Sequence, residues 1–201
     1  MIVQGRYFKR AKTTEKNTEI SYDKSGKMKI EKQWENNRSK MISYIVFGAY
    51  LFLLTWLVLF KFAFTIEEIP HLRQLNLIPF HYETSVAFIT HMKEVIYNIL
   101  IFVPAGVYFT AFQGKRKWWL GIGASFFVSL TFETVQWIFS IGVSDITDLI
   151  GNTLGSGVGA VLFAFLGKIL PKKRMSMING IGAVVEVVGI ALLSMLFVTN
   201  K

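Results

Sequence analysis

The stretch ISYIVFGAYLFLLTWLVLF, residues 42–60, contains no charged side chain and decides the class of this protein. A hydrocarbon core of ~30 Å is crossed by roughly 20 apolar residues in helical form, because each residue of an α-helix rises ~1.5 Å. The 201-residue chain is 52% hydrophobic and only 17% charged, which is too apolar for a soluble domain of this length. The sequence therefore predicts an integral membrane protein.

Apolar segments recur along the chain and predict an all-α, polytopic bundle with about five transmembrane helices. Backbone groups in lipid must bond internally, so each segment is expected to be helical. The predicted spans are residues 41–63, 94–112, 118–141, 147–170 and 176–199. We divide the chain into a basic N-terminal tail (1–40), a membrane domain with an outer loop at 64–93 (41–175), and a fifth span with a short C-terminus (176–201).

The positive charge is unevenly distributed and predicts the orientation of the helices. Eleven of the 22 Lys and Arg residues precede the first span, and others cluster at 115–117 and 168–174. The positive-inside rule then places the N-terminus in the cytoplasm and the C-terminus outside, in the bacterial cytoplasmic membrane. The tail is expected to be a solvated orientation signal or to meet lipid headgroups, and the sequence carries no nucleic-acid-binding pattern.

Polar residues recur near the outer ends of the predicted spans, where placing a polar side chain in lipid costs free energy. Ser129, Glu133 and Gln136 share a face of the third helix, and an acidic stripe begins the fourth. The candidate ligand-binding residues of an outer-leaflet polar cluster are Arg73, Asn76, Asn98, Ser129, Glu133, Gln136, Asp145, Asp148 and Asn152. Arg73 is the one obvious cation for these acids. The cluster either lines a functional pocket or joins helices through hydrogen bonds.

Other features of the sequence bear on packing and chemistry. Gly151, Gly155 and Gly159 predict close packing of the fourth helix. The chain has no cysteine and its histidines match no zinc spacing, so we expect no metal and no cofactor. Glu186 in the fifth span stays open as a functional residue or a paired structural one.

Several motifs, in order and spacing over four helices, resemble the VanZ-like family. These are TWLVLFK at residues 55–61, NLIPF at 76–80, the segment 98–106, SLTFETVQ at 129–136, IGVSDITD at 141–148, Asn152 and Gly155. The resemblance implies decreased susceptibility to teicoplanin-type glycopeptide antibiotics without synthesis of modified peptidoglycan precursors. It implies no catalytic residues.

Three functional hypotheses follow from the sequence. The first is a binding protein whose polar pocket engages a lipid-linked envelope component or a lipoglycopeptide antibiotic, with membrane lipids as further partners. The second is a membrane-embedded hydrolase or transferase that acts on a lipid-linked phosphate or sugar through Glu133, Asp145 and Asp148. The third is a carrier in which Glu186 titrates. The sequence leaves the oligomeric state open.

Overall fold

The computed structural model describes residues 30–60, 67, 69, 71–80, 85–113, 117–171 and 173–199. The elements in chain order are α1 (Ile30–Phe60), β1 (Leu72–Asn76), α2 (Ser85–Gln113), α3 (Trp118–Phe139), β2 (Ile141–Asp145), α4 (Ile146–Ile169) and α5 (Arg174–Thr199).

Five helices in the described part of the chain are long and apolar enough to cross a membrane, as the sequence predicted. The qualifying segments are Arg38–Phe60, Phe88–Gln113, Trp118–Phe139, Ile146–Ile169 and Arg174–Met195. Large apolar side chains are exposed on their outer faces, among them Phe52, Phe127, Val161 and Val187. Such an exterior suits helices surrounded by lipid, where apolar surface carries no penalty.

Two helices begin earlier than the sequence predicted. α2 begins at Ser85 rather than at residue 94, and α1 begins at Ile30, inside the segment 1–40 that was expected to be a tail. Residues 1–29 of that tail and His81 lie outside the described residues. The chain divides into two units, 1–38 and 39–201, and all contacts described below lie within the second.

Glycines bring the backbones of α2 and α4 into contact, as the four-residue spacing predicted. A Cβ atom added to Gly155 would strike the carbonyl oxygen of Ile99, and one added to Gly159 would strike that of Val103. From the other side, Gly106 lies against the Ser156 backbone. Only glycine permits this approach, so α2 and α4 form the tightly packed centre of the bundle.

α1 and α5 join this centre through an apolar cluster and a chain of buried hydrogen bonds. The cluster contains Val46, Phe47, Val107, Tyr108, Phe163 and Ile178. The Tyr108 hydroxyl donates to Asn179 Oδ1 (3.2 Å), and Asn179 Nδ2 donates to Ser43 Oγ (2.9 Å). The Ser43 hydroxyl donates to the Ser39 carbonyl oxygen (3.0 Å). This chain connects α2, α5 and α1, and the sequence did not predict it.

A two-stranded parallel sheet adds to the expected all-α fold. β1 pairs with β2 so that Leu72 lies opposite Ile141 and Asn76 lies opposite Asp145. β1 falls in the predicted outer loop, and β2 falls in the connection between the predicted third and fourth spans, overlapping the third span only at Ile141. Ser140 ends α3 with a φ of 56°, which turns the chain from the helix into β2. The sheet thereby fixes the loop before α2 against the connection between α3 and α4.

Candidate functional site

Buried side-chain hydrogen bonds connect α3 to α4. Asn152 Nδ2 donates to Ser129 Oγ (2.8 Å), and one turn further the Ser156 hydroxyl donates to Ser125 Oγ (2.8 Å). All four side chains are buried. Both pairs repeat at four-residue spacing on antiparallel helices, so one polar face of α3 meets one polar face of α4. The Asn152 Oδ1 atom is buried and has no hydrogen-bond partner among the described residues.

Glu133 lies one turn beyond Ser129 and holds the junction between β2 and α4. Its Oε2 atom accepts a hydrogen bond from the backbone N–H of Asp145 (2.8 Å), and the Ser144 side chain also hydrogen-bonds to it. Glu133 is 6% exposed. Asp148 lies in the first turn of α4, close enough to interact electrostatically with Glu133.

Asp145 caps the N-terminus of α4 and ties it to the segment after β1. Its Oδ1 atom accepts the backbone N–H of Thr147 (2.7 Å), and its Oδ2 atom accepts Asn76 Nδ2 (3.0 Å). Asn76 Oδ1 accepts the N–H of Ile78 (3.2 Å), and Thr147 Oγ1 accepts the N–H of Phe80 (3.1 Å). The first backbone N–H groups of a helix have no acceptor within the helix, so the Asp145 carboxylate stabilises the start of α4. Together, the other three bonds hold the end of β1 and the residues after it against this helix start.

Gln136 connects the same end of α3 to α1. Its Nε2 atom donates to the carbonyl oxygen of Val58 (3.0 Å). Val58 lies in the last described turn of α1. The Gln136 side chain therefore joins the end of α3 to the backbone of α1.

Arg73 lies at the C-terminus of α3 rather than beside the acids. Its Nε atom donates to Ser140 Oγ (2.9 Å) and its Nη2 atom donates to the Ile138 carbonyl oxygen (2.9 Å). The guanidinium carbon lies 5.5 Å from the centre of the Trp137 ring. Within the described ranges, Arg73 forms no ion pair with an acidic side chain. The expected pairing of Arg73 with the carboxylates is therefore absent from the structure.

Asn98 and Glu186 stand apart from these hydrogen bonds. Asn98 is half-buried on α2, with its Cβ atom 3.5 Å from where a Cβ of Gly151 would lie. Its amide makes no hydrogen bond to the residues that the structure describes. Glu186 is half-buried on α5 and interacts electrostatically with Tyr108. It lies far along the sequence from the residues of the polar cluster.

The carboxylates come together without forming a site for a metal ion. Among the described residues, no three Asp, Glu or His side chains are placed to hold one. Both oxygens of Asp145 and one of Glu133 already accept hydrogen bonds from the chain.

Comparison with known proteins assigns the chain to a family. The family model described as VanZ/LLP1 matches residues 47–167. The chain belongs to the VanZ/LLP1 family. It is 35% identical over 161 residues to Protein VanZ from Enterococcus faecium, an alignment that covers 79% of this chain and 92% of that protein. No solved structure matches the chain.

The VanZ/LLP1 match contains all of the candidate site residues, and it excludes α5. Sequence reasoning missed Ser125, Ser144, Thr147 and Ser156, although each takes part in the hydrogen bonds around the site. Ser125 and Ser156 each extend a predicted polar face by one more turn. Continuing the four-residue spacing from Ser129 and Asn152 would have found them.

Proposed function

We propose that this VanZ-like protein lies in the bacterial cytoplasmic membrane and lowers susceptibility to teicoplanin-type glycopeptides. Membership of the VanZ/LLP1 family and the relation to Protein VanZ support this role. The N-terminus lies in the cytoplasm and the C-terminus outside, since basic residues precede α1 and lie between α4 and α5.

The polar cluster binds a lipid-linked envelope component or the lipoglycopeptide itself. The observation that carries this proposal is that β1, α3, β2 and α4 bring polar side chains to one end of the bundle, where Asn76, Asp145 and Glu133 are connected. In the proposed topology this end faces outward. Carboxylate and amide groups there suit the amines, hydroxyls and amides of such ligands.

A hydrolase acting through Glu133, Asp145 and Asp148 has less support. A general base needs an oxygen within reach of the substrate, whereas both oxygens of Asp145 accept hydrogen bonds from Thr147 and Asn76.

Substitutions at matched protein abundance test this function. We expect Glu133→Gln and Asp148→Asn to reduce tolerance of teicoplanin by about tenfold, because each removes a charge-assisted contact of ~1.4 kcal/mol. Thr134→Ala is the matched control, since Thr134 is exposed on α3 and bonds only to its own helix at Leu130. The measurement is growth inhibition by teicoplanin and by vancomycin, with membrane abundance determined by immunoblot.

Unchanged tolerance in both acid variants at equal abundance would show that the cluster has no part in the function. The orientation is tested separately, because the chain contains no native cysteine. We expect Leu77→Cys to react with a membrane-impermeant reagent in intact cells and Lys173→Cys to react only after lysis. The reverse result would remove the outward-facing site.

A further inference from the structure

Arg73 carries a positive charge that the described residues leave uncompensated. Two of its five N–H groups donate to Ser140 and to the Ile138 carbonyl oxygen, both uncharged, and the side chain is exposed. The remaining three N–H groups make no hydrogen bond to the described residues. Because the guanidinium lies over Trp137 and is bonded at two points, it is held in a fixed orientation with little freedom left to lose on binding.

An apolar surface lies beside this cation. Leu75 shares the face of β1 with Arg73, because alternate residues of a strand point the same way, and three more apolar side chains follow the strand. We name the group Leu75, Leu77, Ile78 and Phe80 the apolar ledge, and its members are 53%, 63%, 60% and 46% exposed. Exposed apolar side chains next to a cation suit an amphiphilic partner, whose charged and apolar parts match the two halves of this surface.

Arg73 links the ledge to exposed side chains at the end of α3. Arg73 contacts the Trp137 ring and the backbone of Ile138. The side chains of Trp137 and Ile138 are exposed at the end of a spanning helix. Tryptophan and arginine at the end of a spanning helix are typical of the boundary between headgroups and acyl chains. The surface is therefore placed where lipid phosphates lie.

We propose that Arg73 and the apolar ledge form a binding site for the phosphate headgroup of an anionic membrane lipid. The guanidinium donates its unused N–H groups to the phosphate oxygens, and the ledge contacts the glycerol and upper acyl chains. The inference does not rest on the proposed resistance role, since it requires only that the helices span a bilayer.

The test uses the full-length purified protein and native mass spectrometry in detergent. Phosphatidylglycerol is the probe, diacylglycerol is the phosphate-free lipid, and inorganic phosphate is the lipid-free anion. We expect retention of phosphatidylglycerol alone, and about fivefold weaker binding in Arg73→Gln. Lys173→Gln is the matched control, because Lys173 is exposed between α4 and α5 and loses the same charge.

A second pair of variants leaves Arg73 in place. Leu75→Glu puts a carboxylate beside the guanidinium and is expected to abolish the preference for phosphatidylglycerol, whereas Leu75→Gln retains most of it. Three results would overturn the proposal: equal loss in Arg73→Gln and Lys173→Gln, displacement of the lipid by millimolar phosphate, or undiminished binding in Leu75→Glu. Each can occur while drug tolerance is intact, so failure here is distinguishable from failure of the proposed function.

Discussion

Two single substitutions in α4, Gly155→Ala and Gly157→Ala, distinguish the effect of helix packing on stability from the effect of helix propensity. A Cβ at Gly155 would strike the Ile99 carbonyl oxygen, whereas a Cβ at Gly157 would meet no atom within 4 Å. The atom struck is backbone, so it cannot rotate away and α2 must move from α4. Both substitutions gain the same helix propensity of about 0.5–1 kcal/mol, because both positions lie inside one helix.

The difference between the two variants therefore isolates the cost of overpacking, about 1–3 kcal/mol. We expect Gly155→Ala to be less stable than Gly157→Ala by this amount, with Gly157→Ala at least as stable as the unsubstituted protein. The assay is denaturant-induced unfolding of purified protein in one detergent, followed by circular dichroism, with membrane abundance as a second measure. Equal stability of the two variants would refute the close approach of α2 and α4.

Three further predictions concern single hydrogen bonds. Asp145→Ala removes the cap of α4 and should lower the unfolding free energy by about 0.5–2 kcal/mol in the same assay, whereas Asp145→Asn retains most of it. A double-mutant cycle of Ser129→Ala and Asn152→Ala should give a coupling energy of about 0.6–1.7 kcal/mol, and additivity would exclude the bond. Gln136→Met removes the hydrogen bond to the Val58 carbonyl oxygen and should lower the unfolding free energy by about 0.5–1.5 kcal/mol, with faster hydrogen exchange at the end of α1.

The five spanning helices could be predicted because the information that defines them is local. An apolar stretch bounded by charged residues fixes where each helix crosses lipid. It does not fix where the helix begins, which is why α2 extends back to Ser85. Lys93 and Glu94 interrupt the apolar stretch there, yet a helix tolerates both, and Glu94 pairs with His91 at 3.1 Å one turn away.

The sheet could not be predicted because its information is not local. β1 and β2 are separated by 69 residues, from Leu72 to Ile141, and neither segment alternates polar and apolar residues. The pairing depends on the Ser140 turn and on Asn76 reaching Asp145, and both are visible only in three dimensions. Because the sequence did not predict the sheet, it also did not predict the partners of Arg73. These partners, Ser140 and Ile138, lie at the end of α3.

The spacing of polar residues predicted a shared face within α3 and another within α4, since a helix repeats every 3.6 residues. Ser129 and Asn152 were grouped on that basis and are hydrogen-bonded. The chain through Tyr108, Asn179 and Ser43 escaped prediction because each helix supplies a single member. A single member on each helix gives no spacing from which a shared face can be inferred.

The hydrogen bonds within the polar cluster also determine which substitutions can test function without disturbing folding. Asp145 caps α4 and holds Asn76, so a loss of tolerance in Asp145→Ala confounds binding with folding. Asn98 makes no hydrogen bond to the described part of the chain, and Asn98→Ala therefore removes no contact of its amide there. If tolerance falls in Asn98→Ala while unfolding is unchanged, the amide acts on something other than the protein, and helix cohesion alone no longer accounts for it.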